Sequence, residues 1–394
     1  MKKRFSVSLA ATVILSATVL SAPTASADRP DDPADTWPAS NARTASAGSV
    51  PANSVTPAMQ REIDRVVNAG RRAAARVAPT SGARALAGAQ IRCAMFEKQR
   101  YCLRYGWTNR TAAELRDDLV KREANARRSG RETGDASVLE SLRTHARMAP
   151  TAKARADRAE LRQAARATAK VVDLRHDIQG TPYPRGFFAR HPEVDRTAAT
   201  ASKRLYPKRY YIMNWHNVRQ QRRSYWCGPT TMQMIGWGWN KKVRPQKLWA
   251  SRLGTTTSGS SIGNMVKAVN KFTGYDKKRF AGRYIVLDIS DWGYGKWMRL
   301  HRRHYSQYNA PIVTHPVLKA QYFPYMKGWS GSGHFQVGRG YNNRGKNPAT
   351  LGLFEPYNPR RFNSSAPYVD RLQYPRAYPN YLANKAHPQQ NIGV

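Results

Sequence analysis

Acidic side chains are scarce in this sequence. Its 394 residues carry 25 Asp and Glu against 66 Lys and Arg, a formal charge of +41. So large an excess is out of place in an ordinary cytosolic enzyme and favours polyanionic surroundings such as nucleic acid, anionic membrane or anionic cell wall, without bearing on the fold. Cysteine is scarcer still, with three residues, Cys93, Cys102 and Cys227, an odd number that leaves one thiol over. No hydrophobic stretch reaches the roughly 20 residues of a membrane-spanning helix. Disorder throughout is excluded by 41% hydrophobic and 10% aromatic residues, in a chain long enough for two domains.

The amino terminus has the layout of a secretory signal peptide. Lys2, Lys3 and Arg4 precede an apolar run from Phe5 to Val19, and Ala25, Ser26 and Ala27 follow. Residues 1–27 are expected to be removed on export, giving a secreted, soluble protein that begins near Asp28. In an oxidising compartment Cys93 and Cys102, nine residues apart in IRCAMFEKQRYC, can close a local disulfide. Cys227 is then the free thiol, either a small buried hydrophobe or a reactive group.

Composition divides the remainder. Residues 28–55, rich in Pro, Ala, Ser and Thr, read as a flexible leader. Residues 56–180 form a basic, mainly helical region, with apolar residues at three- and four-residue spacing in TPAMQREIDRVVNAGRRAAARV and SVLESLRTHARM. The proline-rich stretch 181–208 reads as a linker. Residues 209–394 are aromatic and poor in acids: eight of ten tryptophans lie beyond residue 205, and from Tyr211 onward the carboxylates are Asp276, Asp288, Asp291, Glu355 and Asp370. WCGPTTMQMIGW and SSIGNMVKAVNKFTG predict helices, and RYIVLDIS, APIVTH, GHFQVGRGY and LGLFEPY predict strands. The fold class is therefore α+β, helices followed by an antiparallel sheet.

Cys227 stands before Gly228 and Pro229 at the start of a predicted helix. The free amides of the first turn and the nearby Arg222 and Arg223 are expected to lower its thiol pKa. Six residues upstream, the Gln221 amide can join the Cys227 backbone N–H as a donor to an oxyanion, with Gln220 adjacent as the alternative. A nucleophilic thiol needs a base. His334, after the small-residue run GWSGSG and at the head of an apolar strand, has the best setting of nine histidines. Glu355 on the following strand is the leading group to orient it, ahead of Asp370 and Asn358. His301 and His304, an HRRH pair on an expected helix without acidic or cysteine neighbours, read as solvated surface rather than a metal site. No metal and no cofactor is expected.

These residues resemble the papain-like cysteine peptidases of the bacteriocin-processing type, cysteine peptidase family thirty-nine. The likeness lies in QRRSYWCGPTTMQMI, TTTSGSSIGNMVKAVN, APIVTH, GHFQVGRGY and FEPY, across roughly residues 209 to 360. It implies a papain-like domain in which Gln221 serves the oxyanion hole, Cys227 is the nucleophile, His334 the general base and Glu355 the orienting acid. The family usually carries aspartate where this chain has Glu355. Its leader-trimming members are commonly domains of membrane exporters, whereas this chain has no ATP-binding loop, so leader processing is not carried over.

The expected function is that of a secreted cysteine peptidase acting through a thioester acyl-enzyme on a peptide or protein substrate. A cell-wall amidase or acyl transferase on the same fold, or a catalytically inactive basic surface protein, are the alternatives. The basic region admits three readings: a plain helical domain, an inhibitory propeptide, or an anchor to anionic wall or membrane. Specific nucleic-acid binding is not expected, and the protein is read as a monomer.

Overall fold

The computed structural model describes residues 55–394 apart from 75–76, 127–132, 193, 195–205, 215, 217, 278 and 345–348. The expected signal peptide and nearly all of the expected leader lie outside these residues. Among the described residues, no helix is long and apolar enough to cross a membrane.

The basic region opens with α1 (Pro57–Ala74) and α2 (Ala83–Gln90). A hairpin follows, β1 (Cys93–Phe96) and β2 (Gln99–Cys102), then β3 (Gly106–Trp107). Cys93 and Cys102 face each other across the hairpin and are joined by a disulfide. Next come α3 (Ala112–Ala126), α4 (Val138–Ala146), α5 (Pro150–Ala165), α6 (Thr168–Gln179) and the short α7 (Phe187–Arg190). Helix α7 lies within the stretch expected to be a linker, and its Phe187 is buried against Ala169 and Val172 of α6.

The remainder carries β4 (Arg209–Tyr211), α8 (Cys227–Asn240), α9 (Gln246–Leu253) and α10 (Ile262–Phe272). After these come β5 (Val286–Asp288), α11 (Tyr294–Ser306), β6 (Ile312–Thr314), β7 (Gln336–Asn342) and β8 (Thr350–Phe354). The chain closes with β9 (Leu372–Gln373), α12 (Ala377–Ala386) and β10 (Asn391–Gly393). All four predicted strands and both predicted helices form. The fold is α+β.

One sheet runs through both regions, in the order β1-β2-β3-β5-β10-β6-β7-β8-β9, with β4 beside β7. Its pairings are antiparallel except where β3 meets β5, Trp107 opposite Leu287. The basic region is thus not helical alone: its three strands extend the sheet of the other half. The apolar core is continuous across that join, taking in Ile63, Trp107, Met232, Leu287 and Val337. Burial of this continuous apolar surface is the main force holding the two halves together.

Buried charges reinforce the join. Arg303 of α11 is 2% exposed and reaches Asp173 and Asp177 of α6 at 2.5 and 2.6 Å. Within the basic region itself, Asp157 of α5 is ringed by Arg92, Arg104 and His145 at 2.5, 2.5 and 3.0 Å. Burial alone would raise its carboxyl, but the hydrogen bond and charge of His145 and the Arg104 guanidinium hold it well below the usual carboxylate range.

Gly106 sits at the parallel crossing with φ +93°, and a Cβ there would lie 2.5 Å from the Val286 carbonyl oxygen. Gly106→Ala is expected to cost about 2 kcal/mol or more in urea unfolding. The control Gly88→Ala, in α2 with nothing within 4 Å, should be neutral or stabilising by up to about 1 kcal/mol. Equal effects of the two would contradict the crossing as a structural join.

Candidate active site

Helix α8 begins at Cys227, with Trp226 in the cap position offering no side-chain hydrogen bond and Pro229 in the first turn. Pro229 suits that turn because its missing N–H would have no intrahelical partner. Cys227 is free and fully buried. Its thiol meets the backbone amides of Phe335 and Gly228, which places it beside the residue that follows His334.

The expectation of a lowered thiol pKa is not met. Burial pushes the Cys227 thiol well up, and the negative charges of Asp135 and Glu355 add to this, while the amides of Phe335 and Gly228 act in the opposite sense without prevailing. Arg222 and Arg223 are exposed, and the Arg223 guanidinium lies over the Trp226 ring, 5.2 Å from its centroid. The desolvation outweighs the backbone amides that meet the sulfur, and the charges that act on it, those of Asp135 and Glu355, are negative.

Strands β7 and β8 are antiparallel neighbours, so the residues just before β7 and just after β8 come to the same end of the sheet. His334 Nε2 lies 2.7 Å from Glu355 Oε1, and both side chains are fully buried. Oε1 also accepts the Tyr357 amide at 2.8 Å. Oε2 accepts the Tyr325 hydroxyl at 2.9 Å and Gln336 Nε2 at 2.6 Å. All four partners of the two oxygens are donors. The His334 proton then sits on Nε2, and Nδ1 keeps its lone pair. Among the described residues, Nδ1 has no hydrogen-bond partner, so no thiol–imidazole hydrogen bond is closed in this arrangement.

Gln221 is fully buried, and its Nε2 faces the carbonyl oxygens of Ser224, Arg223 and Thr133 at 2.8, 3.0 and 3.4 Å. The Cys227 backbone N–H donates to the same Thr133 oxygen at 3.2 Å. The Cys227 amide and, through the longest of its three contacts, Gln221 Nε2 thus meet at one oxygen position. Gln220 turns away to the Val369 carbonyl and to Asn358. Asn358 accepts backbone amides of Arg360 and Val369, and Asp370 is exposed. Neither of these approaches His334 as Glu355 does.

His301 and His304 lie on α11 as expected, but not at the surface: both are fully buried. His301 Nδ1 pairs with the Tyr305 hydroxyl at 2.8 Å, and His304 Nδ1 with the Ala310 carbonyl at 3.0 Å. They do not form a metal-ligand group. The described residues that do come together with such chemistry are Asp135, His315 and His387, none of which the sequence singled out.

Residues 210–379 match the Peptidase_C39 like family. That match is consistent with a C39-like cysteine peptidase domain, and the α+β fold around it fits a papain-like domain. The match supports a function of the cysteine-peptidase type. Neither a curated protein nor a solved structure matches the chain.

Burial pushes the His301 imidazole down to about 3 and that of His304 well below its usual range. A histidine whose folded pKa is depressed contributes stability above its unfolded pKa near 6.5, and that contribution is lost as pH falls below it. Between pH 6.5 and 5, above the carboxylate range, each buried histidine is expected to remove up to about 1.4 kcal/mol of stability per pH unit. Urea titrations across this interval should show the loss, with a shallower slope in His301→Gln. A flat profile in the unsubstituted protein would contradict the burial.

Proposed function

We propose that residues 209–394 form a cysteine peptidase in which Cys227 is the nucleophile, His334 the general base, Glu355 the group that orients it, and Gln221 an oxyanion donor. The observation that carries this reading is the convergence of the Cys227 amide and Gln221 Nε2 on one oxygen, beside a thiol whose neighbour His334 is held by Glu355 at 2.7 Å. Two preorganised donors at one point serve the charge that develops on a carbonyl oxygen under attack.

His334 Nδ1 takes the thiol proton, and the sulfur attacks the carbonyl carbon of a peptide bond. The developing oxyanion accepts from Cys227 N–H and Gln221 Nε2. Collapse expels the amine, which leaves with the proton from His334, and a thioester forms on Cys227. Water, deprotonated by His334, then releases the acid product and the thiol. Glu355 keeps the imidazole proton on Nε2 and offsets the positive charge of the imidazolium. The longer glutamate side chain suits this role, because Tyr325, Gln336 and the Tyr357 amide fix its carboxylate.

The amino-terminal residues suit export, which sets the action outside the cell on peptide or protein. An amidase of cell-wall peptides would use the same chemistry. Incubation with a proteome-derived peptide library, read as new termini by mass spectrometry, tests the reading. Cys227→Ala is expected to abolish turnover with an unchanged circular dichroism spectrum, and Gln221→Ala to lower kcat about 10²- to 10³-fold. Turnover that survives Cys227→Ala would refute the assignment. Muropeptide release from purified wall without peptide-library cleavage would move it to the amidase.

A further inference from the structure

The oxygen in the converging pair of donors belongs to the chain itself. Thr133 is fully buried, and its carbonyl takes both the Cys227 amide and the Gln221 side chain. Its own N–H reaches Ser332 Oγ at 3.2 Å, and its hydroxyl donates to the Gly333 carbonyl at 2.6 Å. The next residues pair with Ser260: the Ser260 amide donates to the Gly134 carbonyl at 2.9 Å and the Ala136 amide to the Ser260 carbonyl at 2.8 Å. Thr133 to Ala136, bent at Gly134, is thus bonded on both sides, to the loop ahead of α10 and to the turn that carries His334. Gly134 has φ +108°, and a Cβ there would lie 2.2 Å from the Tyr225 carbonyl oxygen, so a larger residue could not keep this path.

Asp135 fastens the segment. Its side chain is 7% exposed, with His315 Nε2 at 2.9 Å from one oxygen and His387 Nε2 at 2.9 Å from the other. Burial alone would raise its carboxyl; the two imidazoles that face it, His315 and His387, outweigh this and hold it well below the usual range. His315 Nδ1 lies 2.6 Å from Asn391 Oδ1, an acceptor, and so carries a proton. His387 Nδ1 accepts the Gln389 amide at 3.1 Å, which puts its proton on Nε2, toward Asp135. The His387 nitrogen that faces Asp135 therefore carries a proton and suits a carboxylate rather than a cation.

We propose that His315 and His387 form a carboxylate-binding subsite next to the catalytic cysteine, and that the chain fills it with Asp135 so that Thr133–Ala136 acts as a built-in peptide inhibitor. This rests on the reading of Cys227 and Gln221 given above. While the Thr133 carbonyl holds both donors, a substrate carbonyl must displace it to use them, and the covering segment keeps the thiol dry and protonated. Release requires a competing ligand or a cut that frees the segment. The subsite then favours peptides with a glycine followed by an acidic residue, the pattern of Gly134 and Asp135.

Thiol reactivity tests this apart from turnover, because Cys227 is the one cysteine outside the disulfide. The full chain, Asp135→Ala and Gly134→Val are alkylated with iodoacetamide and followed by intact mass, with circular dichroism to confirm folding. Gly134→Val displaces the segment without touching the histidines and stands in if Asp135→Ala misfolds. Both variants should react at least tenfold faster than the parent chain. The peptide Glu-Thr-Gly-Asp-Ala-Ser, added in trans to Asp135→Ala, should slow the reaction again, and the same peptide with Ala for Asp should not. Folded variants that react at the parent rate would overturn the proposal, as would equal protection by both peptides. Faster alkylation without turnover of any peptide would uphold the inhibitor and refute the catalytic reading. Turnover with unchanged alkylation would do the reverse.

Discussion

A carboxylate with no water to solvate it must be satisfied by the protein, and Glu355 imposes that demand on the site. It is fully buried, and its two oxygens gather His334, the Tyr357 amide, Tyr325 and Gln336. Leaving such a charge unpaired would cost several kcal/mol, so the four donors are fixed in place by the group they satisfy. The orientation of His334, and with it the lone pair available on Nδ1, follows from this arrangement. Because β7 and β8 are paired strands, the approach of His334 to Glu355 follows from the backbone register.

The other half of the site depends on the same continuity. The basic region adds three strands to the sheet, shares its core and pairs acids of α6 with Arg303 of α11. A segment between α3 and α4 is thereby carried over the thiol. The contacts that hold Thr133–Ala136 come from the loop ahead of α10 and from the turn that carries His334. Opening it would expose buried polar groups and restore water to the sulfur, so thiol ionisation and access are coupled to one displacement.

The chemistry-bearing motifs were legible because each sits in a short stretch with its own local signal. Cys227 precedes a proline at a helix start, His334 follows small residues ahead of an apolar strand, and Glu355 ends the next strand. The contacts that cross between the two halves left no such trace. Asp135 and His387 are 252 residues apart, and neither His315 nor His387 has an acidic neighbour in sequence. The β1–β2 hairpin escaped notice because its strands are four residues each and its turn is Glu97-Lys98, both at positive φ without glycine or asparagine to announce it. HRRH read as solvated because three-dimensional partners decide such cases: Arg303 is buried against acids more than 120 residues earlier in the chain. The thiol pKa rises where the sequence predicts a fall for a related reason, since local sequence shows a helix start but not the segment that covers it.

The central claim is that an acyl group passes through the sulfur of Cys227 under the control of His334. Rapid-quench intact-mass analysis of the Asp135→Ala chain with an activated ester of a blocked amino acid, followed by peptide mapping, addresses it directly. The account predicts a transient acyl adduct on the peptide that contains Cys227, strongly slowed in the same chain carrying His334→Ala. Ester turnover with no adduct on Cys227, or with the adduct on another residue, would contradict it.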